Sequence, residues 1–224
     1  MGIEWILMIV IALVGVIVQS RMQAVFSKYS RVRTEGGLTG RDVAEKMLRE
    51  NGITDVQVIS TRGHLTDNYN PVNKTINLSE SVFASDSIAA AAVAAHETGH
   101  AIQHAVGYAP LRLRSALVPL ISFSSQWSFI VILIGIFVIN TIPAIFWVGI
   151  AMIALSALFA LITLPVEYNA SYRAMQWLQT SGTLHGEQLQ QAGTSLKWAA
   201  RTYLVAALSA IATLLYYLGF ARRD

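Results

Sequence analysis

Four long apolar runs constrain this chain more than anything else in it. They cover residues 3–18, 118–139, 145–164 and 202–220. About 20 apolar residues suffice to cross a bilayer as a helix, and in hydrocarbon every backbone N–H and C=O must find its partner within the segment. Four transmembrane helices are therefore expected. The first run is short, and Glu4 is its one charged residue. A cleaved signal peptide would open on basic residues and close on small ones. Here Glu4 precedes the core and Gln19-Ser20-Arg21 follows it, which reads as an uncleaved anchor with Gln19 and Ser20 in the interface. Asn140-Thr141-Ile142-Pro143 separates the second and third runs and makes them a transmembrane hairpin. The polar cluster at 122–128 falls at the start of the first arm, facing either the interface or the bundle.

Composition narrows the chemistry. With 54% hydrophobic and 13% charged residues the chain is too apolar for an ordinary soluble domain. It has no cysteine, so any bound metal must be held by histidine and carboxylate. A formal charge of +3 without a basic run interleaved with aromatics gives no footprint for nucleic acid. No Gly-rich phosphate loop is present, which argues against ATP-driven proteolysis in this chain. Arg21, Lys28, Arg31 and Arg33 follow the first run and place that flank in the cytoplasm by the positive-inside rule. Arg222 and Arg223 follow the fourth run, on the side that an external N-terminus and four spans would make external. The first helix is taken to dominate.

Between Arg21 and Arg114 the chain is polar enough to face water. Thr39-Gly40-Arg41-Asp42 reads as a capping box opening a helix, with Val43, Ala44, Met47 and Leu48 as its apolar face and Gly52 as its end. Residues 56–59 and 75–78 read as short strands. By fold-level analogy, the strand 75–78, just ahead of the next helix, would receive an extended peptide by strand addition. His64, in the connecting turn, is assigned no metal role.

The next helix carries the chemistry: Ala94-Ala95-His96-Glu97-Thr98-Gly99-His100-Ala101-Ile102. On a helix, His96 and His100 stand one turn apart on one face and can share a metal ion. Glu97 projects beside them, within reach of a water on that ion. This is the spacing of zinc peptidases. The surrounding run is rich in alanine, the best helix former, with Ser85, Asp86 or Ser87 as its N-cap. Gly99 is a poor helix former, so another backbone is expected to pass close to it. The competing reading is a structural helix with two incidental histidines.

A third ligand must come from elsewhere. After the motif only Glu167, Glu187 and Asp224 carry carboxylates, and only His104 and His185 carry imidazoles. His104 lies two turns beyond His96, about 12 Å along the axis, too far for bonds of ~2 Å to a shared ion. It is expected beside the ligands or solvated at the helix end. Asp224 is terminal. Glu167 sits at the polar end of the third apolar run, where a buried carboxylate needs a partner; a metal is favoured over Arg173. Pro165 is expected in the first turn of a new helical segment. A polar helical stretch holding His185 and Glu187 is expected between Tyr172 and Trp198.

Three motifs together resemble the YugP-type family of bacterial membrane zinc metallopeptidases. They are the run from His96 to His104, the run Leu164-Pro165-Val166-Glu167-Tyr168-Asn169-Ala170-Ser171 continuing to Arg173, and the upstream Asn70-Pro71, Asn73-Lys74 and Leu78-Ser79. The resemblance spans about Asp67 to Leu178. It implies a membrane-bound neutral zinc peptidase of the glutamate-ligand class, distantly similar to the HtpX and CAAX-prenyl proteases. Those carry aspartate four residues after the ligand glutamate, where it orients a zinc-binding histidine. Ser171 stands there in this chain.

The expected architecture is a mainly α membrane protein, with about four transmembrane helices and a small α+β zincin-like domain at the membrane surface. Its parts are an anchor (1–20), a water-exposed region with the metal helix (21–116), a transmembrane hairpin (117–165), a third-ligand segment (166–200) and a C-terminal span (201–224). The expected chemistry is amide hydrolysis, with His96, His100 and Glu167 holding zinc and Glu97 moving the proton. Tyr172, Arg173 and His185 are the candidates for stabilising the oxyanion. The expected partners are a membrane-associated protein or peptide substrate and the bilayer, with no nucleic acid. The rival readings are an intramembrane protease and a non-catalytic scaffold with a vestigial zinc site.

Overall fold

All four apolar runs are helical, and each of the four helices extends well past the apolar residues. The structure, a computed structural model, describes residues 3–63 and 66–221. His64, Arg222, Arg223 and Asp224 lie outside the described residues. In chain order the elements are α1 (Ile3–Tyr29), α2 (Gly40–Glu50), β1 (Gln57–Thr61), β2 (Asn68–Asn70), β3 (Thr75–Ser79), α3 (Glu80–Phe83), α4 (Ile88–Ala105), α5 (Ala109–Phe137), α6 (Pro143–Thr180) and α7 (Gly186–Ala221). Among the described residues four helices, α1, α5, α6 and α7, are long and apolar enough to span a membrane. The chain is a mainly α membrane protein with a small α+β part.

The chain divides into two compact units. The first gathers the described parts of Met1–Val18, Arg112–Pro165 and Thr202–Asp224. Ile132 on α5 packs with Phe146 and Ile150 on α6. Small residues make that approach possible: a Cβ on Gly135 would lie 2.5 Å from the Phe146 Cα. Close packing through glycine is how membrane helices gain contact where lipid offers no hydrophobic drive. Ser124 is buried, so the polar cluster turns at least one hydroxyl into protein.

The second unit comprises Gln19–Leu111 and Val166–Arg201 and carries the rest. The Thr39 side chain accepts from the Asp42 N–H and Asp42 accepts from the Thr39 N–H, closing the capping box of α2. The face of Val43, Ala44, Met47 and Leu48 is buried as its spacing requires, and Gly52 follows with φ +70°. The sheet has the order β1-β3-β2, with β1 parallel and β2 antiparallel to β3. Ile76 and Leu78 of β3 are fully buried, and α4 packs against α2, α3, β2 and β3.

The local fold corrects several expectations. β3 is the central strand, paired on both sides, so no peptide can add beside residues 75–78. The strand responsible, β2, has the sequence Asn68-Tyr69-Asn70. Asparagine favours turns, and only pairing with β3 makes this stretch extended. Pro165 does not begin a helix; α6 runs through it to Thr180. Interior proline is disfavoured by about 3 kcal/mol, yet the apolar run before it and the packed segment after it outweigh that term. Likewise the stretch before the fourth run is not a separate segment. After a turn at Gly182 with φ +67°, α7 begins at Gly186 and continues unbroken to Ala221.

Candidate metal centre

Alanine lets α4 be buried on almost every side. Ala89, Ala91, Ala92, Ala94 and Ala95 are all fully buried. The Ser87 side chain caps its N-terminus by accepting from the Ala90 N–H, which decides among the three candidate caps. A Cβ on Gly99 would lie 2.7 Å from the Ala170 carbonyl oxygen of α6. This is the close backbone expected at that glycine, and it brings α6 onto the histidine face.

His96 and His100 stand edge-to-face, with ring centroids 4.8 Å apart. Their Nε2 atoms face the same oxygen of Glu167, at 3.2 Å from His96 and 3.5 Å from His100. The three donor atoms lie within 4.8 Å of one another. Donors bound tetrahedrally at ~2.0–2.1 Å stand about 3.3 Å apart along each edge, close to both distances. A set of two imidazole nitrogens and one carboxylate oxygen is a donor set that zinc accepts. The three side chains thus fit the metal.

The outer nitrogens are occupied too. Ser171 Oγ is 3.1 Å from His96 Nδ1, and Gln103 Oε1 is 3.0 Å from His100 Nδ1. The Gln103 amide donates to the Val166 carbonyl at 2.8 Å and to Asn169 Oδ1 at 3.0 Å. Arg173 Nε donates to that same Asn169 oxygen at 2.8 Å, so Arg173 serves Asn169 and not Glu167. A ligand's second nitrogen normally has such a partner, which sets ring orientation. Gln103 lies within the run from His96 to His104, where nothing local assigns it a role. Its signal was a glutamine one turn beyond a ligand histidine, on a wholly buried helix.

Glu97 is buried beside the ligands. Burial pushes its carboxyl above the usual range; the charges of His96 and His100 oppose this, while Glu167 and Asp67 add to it. For His100, burial favours the neutral ring, but hydrogen bonds and charges from Glu167, Glu97 and Gln103 prevail and hold it above its ordinary value. Asp67, which accepts from the Ser79 N–H at 2.7 Å, directly precedes β2.

Other candidates disperse. His104, exposed in the last turn of α4 as expected of a helix-end histidine, pairs its Nδ1 with the Tyr69 hydroxyl at 2.7 Å and so ties α4 to β2. His185 lines a separate cleft with Val32 and Glu35. Tyr172, 62% exposed, lines a groove of about 830 Å³ together with Ser171.

A membrane protein whose helix presents two histidines and a glutamate to a carboxylate from a second helix has the donor set of a zinc hydrolase. The chain belongs to the family described as "Putative neutral zinc metallopeptidase", whose profile matches residues 4–222. It is 38% identical over 201 residues to "Putative membrane protease YugP" of Bacillus subtilis (strain 168), which covers 89% of this chain and 88% of that protein. No solved structure matches it. Zinc is the metal of this family, and His96, His100 and Glu167 form its candidate site here.

Proposed function

We propose that the chain is a membrane-bound zinc endopeptidase that cleaves membrane or juxtamembrane protein segments. The observation that carries this is the convergence of His96 Nε2, His100 Nε2 and Glu167 Oε2 beside a buried Glu97. Zinc, when held by these three side chains, supplies a Lewis acid that lowers the pKa of water toward ~7 and polarises the scissile carbonyl. Glu97 takes the proton of the attacking water as the C–O bond forms. It then passes that proton to the amide nitrogen as the C–N bond breaks. A carboxyl whose pKa is raised by burial holds a proton more readily, which suits the second half of that task. Binding zinc would not require Glu97, so its presence beside the ligands argues against a scaffold with a vestigial site.

The substrate is an extended segment, which can pair with backbone where a helix cannot. The outer edge of β2 is the better platform, because β3 is paired on both sides and Asp67, just before β2, is near enough to act on Glu97. Glu167 follows the third apolar run within a few residues, and a charged Glu97 is costly in hydrocarbon. Both points support a site at the bilayer surface. Arg21, Lys28 and Arg31 support the cytoplasmic side; Arg33 is already paired with Asp86 at 2.8 Å. A single cysteine at the exposed Ser60 should resist an impermeant reagent in intact cells.

The deciding experiment uses the reconstituted full chain with Glu97→Gln as blank and two model substrates. One carries an extended segment just cytoplasmic of a single span, and the other carries it mid-span. Wild-type protein is expected to cut the first and not the second, and Glu97→Gln neither, while retaining zinc. Cutting only at mid-span would establish the intramembrane rival. Zinc retention without any cleavage in the wild type would favour the scaffold.

A further inference from the structure

We infer that Gln103 is a positioning residue that fixes His100 as the tautomer protonated on Nδ1, leaving Nε2 as the nitrogen for the metal. The tautomer follows from which groups around Gln103 can only donate and which can only accept. A primary amide has one accepting oxygen and one donating nitrogen. Gln103 is fully buried, so both ends must be matched within the protein. One end lies 2.8 Å from the Val166 carbonyl, which has no proton to give. That end must be the nitrogen. Its second contact, Asn169 Oδ1, is held as an acceptor by Arg173, whose guanidinium only donates. Both anchors therefore give the amide the same orientation. The oxygen is left facing His100 Nδ1 at 3.0 Å, and an oxygen there requires a proton on Nδ1.

A neutral imidazole has one ring proton. With it on Nδ1, the bare Nε2 lone pair points at a Glu167 oxygen 3.5 Å away. Two lone pairs facing each other at that separation call for a proton or a metal cation between them. His96 has no such constraint. Its Nδ1 partner is the Ser171 hydroxyl, which donates or accepts equally well. The two ligands are thus held differently: His100 is set through a chain of four residues to Arg173, and His96 is left to adjust. The chain exists because α4 and α6 meet at Gly99 and Ala170, which brings Gln103, one turn later on α4, to Val166, one turn earlier on α6.

The inference rests on the proposed zinc site, and the test separates the two. Full-length protein in nanodiscs is loaded with zinc alone, and affinity is read by chelator competition. Gln103→Met, similar in size but unable to accept from Nδ1–H, is expected to weaken zinc binding about 10–100-fold, the usual effect of losing such a partner. Gln103→Glu, which still accepts that proton and as the buried neutral acid can donate its O–H to the Val166 carbonyl, should recover most of the loss. Unchanged affinity in Gln103→Met would overturn the inference, and so would equal losses in both variants, which would mean that Gln103 only packs. The wild type supplies an arm that needs no variant. The ¹⁵N imidazole spectrum of His100 in the zinc-loaded protein should show the proton on Nδ1; a proton on Nε2 overturns the proposal. Failure of the underlying reading looks different, because zinc would then bind the wild type and Glu167→Ala alike.

Discussion

Helices α1 and α4 are both dominated by apolar residues and are built in opposite ways. On α1 the side chains are large and face outward: Leu13 and Ile17 are each 59% exposed and Val16 is 65% exposed. On α4 they are small and face protein, so that even its polar Thr98 and Gln103 are fully buried. Bulk facing outward is what a helix needs when lipid is its partner. Alanine and glycine are what it needs when backbone must come within contact distance. The difference bears on function. Lipid offers no hydrogen bonds, so a helix like α1 has nowhere to keep a buried carboxylate or imidazole. The neighbouring α6 supplies Ser171, Asn169 and the Val166 carbonyl, and α4 itself supplies Gln103, so it can carry Glu97, His96 and His100.

Glu167→Ala should widen this contrast most. Zinc at about 1,000 times its dissociation constant stabilises a protein by about 4 kcal/mol, and the variant should lose both that gain and the bound metal. Elemental analysis and melting with and without zinc test this; full zinc stoichiometry would remove Glu167 from the ligand set. Next in size is Gly99→Ala. Helix propensity alone predicts a gain of up to about 1 kcal/mol. The added Cβ, 2.7 Å from the Ala170 oxygen, should reverse that through overpacking of about 1–3 kcal/mol. A stabilised variant would mean that α4 and α6 do not meet as closely as described.

A smaller effect concerns pH, in zinc-free protein. Glu97 binds its proton more tightly folded than unfolded. From the ordinary carboxyl value of ~4.3 up to the raised one, the folded state therefore holds more protons, and stability falls as pH rises through that window. His100 is also raised, so its contribution is complete below ~6.5 and is lost as pH climbs through its folded value, in the same sense. Melting temperature should decline as pH rises above the ordinary carboxyl value of ~4.3 and do so less in Glu97→Gln. A rise with pH would contradict both shifts. The smallest effect is expected in the lipid-type helix: Leu13→Ala on α1 should change thermal stability by less than about 0.5 kcal/mol and leave zinc content unchanged. A loss comparable to Gly99→Ala would place protein, not lipid, against Leu13.

Much of this was legible in the chain because it is local. Apolar run length marks the four spans, Thr39 and Asp42 announce the start of α2, and the four-residue interval between His96 and His100 puts both rings on one face. Glu167 could be singled out by elimination, since few carboxylates follow the motif. The rest was hidden for definite reasons. Asn68-Tyr69-Asn70 has turn-like composition and becomes a strand only beside β3. Pro165 carries a local signal to break a helix that its neighbours override. His104 has a partner 35 positions away, which no periodicity announces.

The sequence by itself determined the periodic features: where the four apolar runs lie, and that two histidines and a glutamate share one turn of a helix. These follow from interactions between residues a few positions apart. The tertiary structure decided which groups those side chains meet. Gln103 and Val166 lie 63 positions apart, and Ser171 and His96 lie 75 apart. Their contact depends on how closely α4 and α6 approach, and packing at Gly99 sets that approach. A hydrogen bond is lost within an ångström of misplacement, so no spacing rule along the chain could have assigned the partners of His96 and His100.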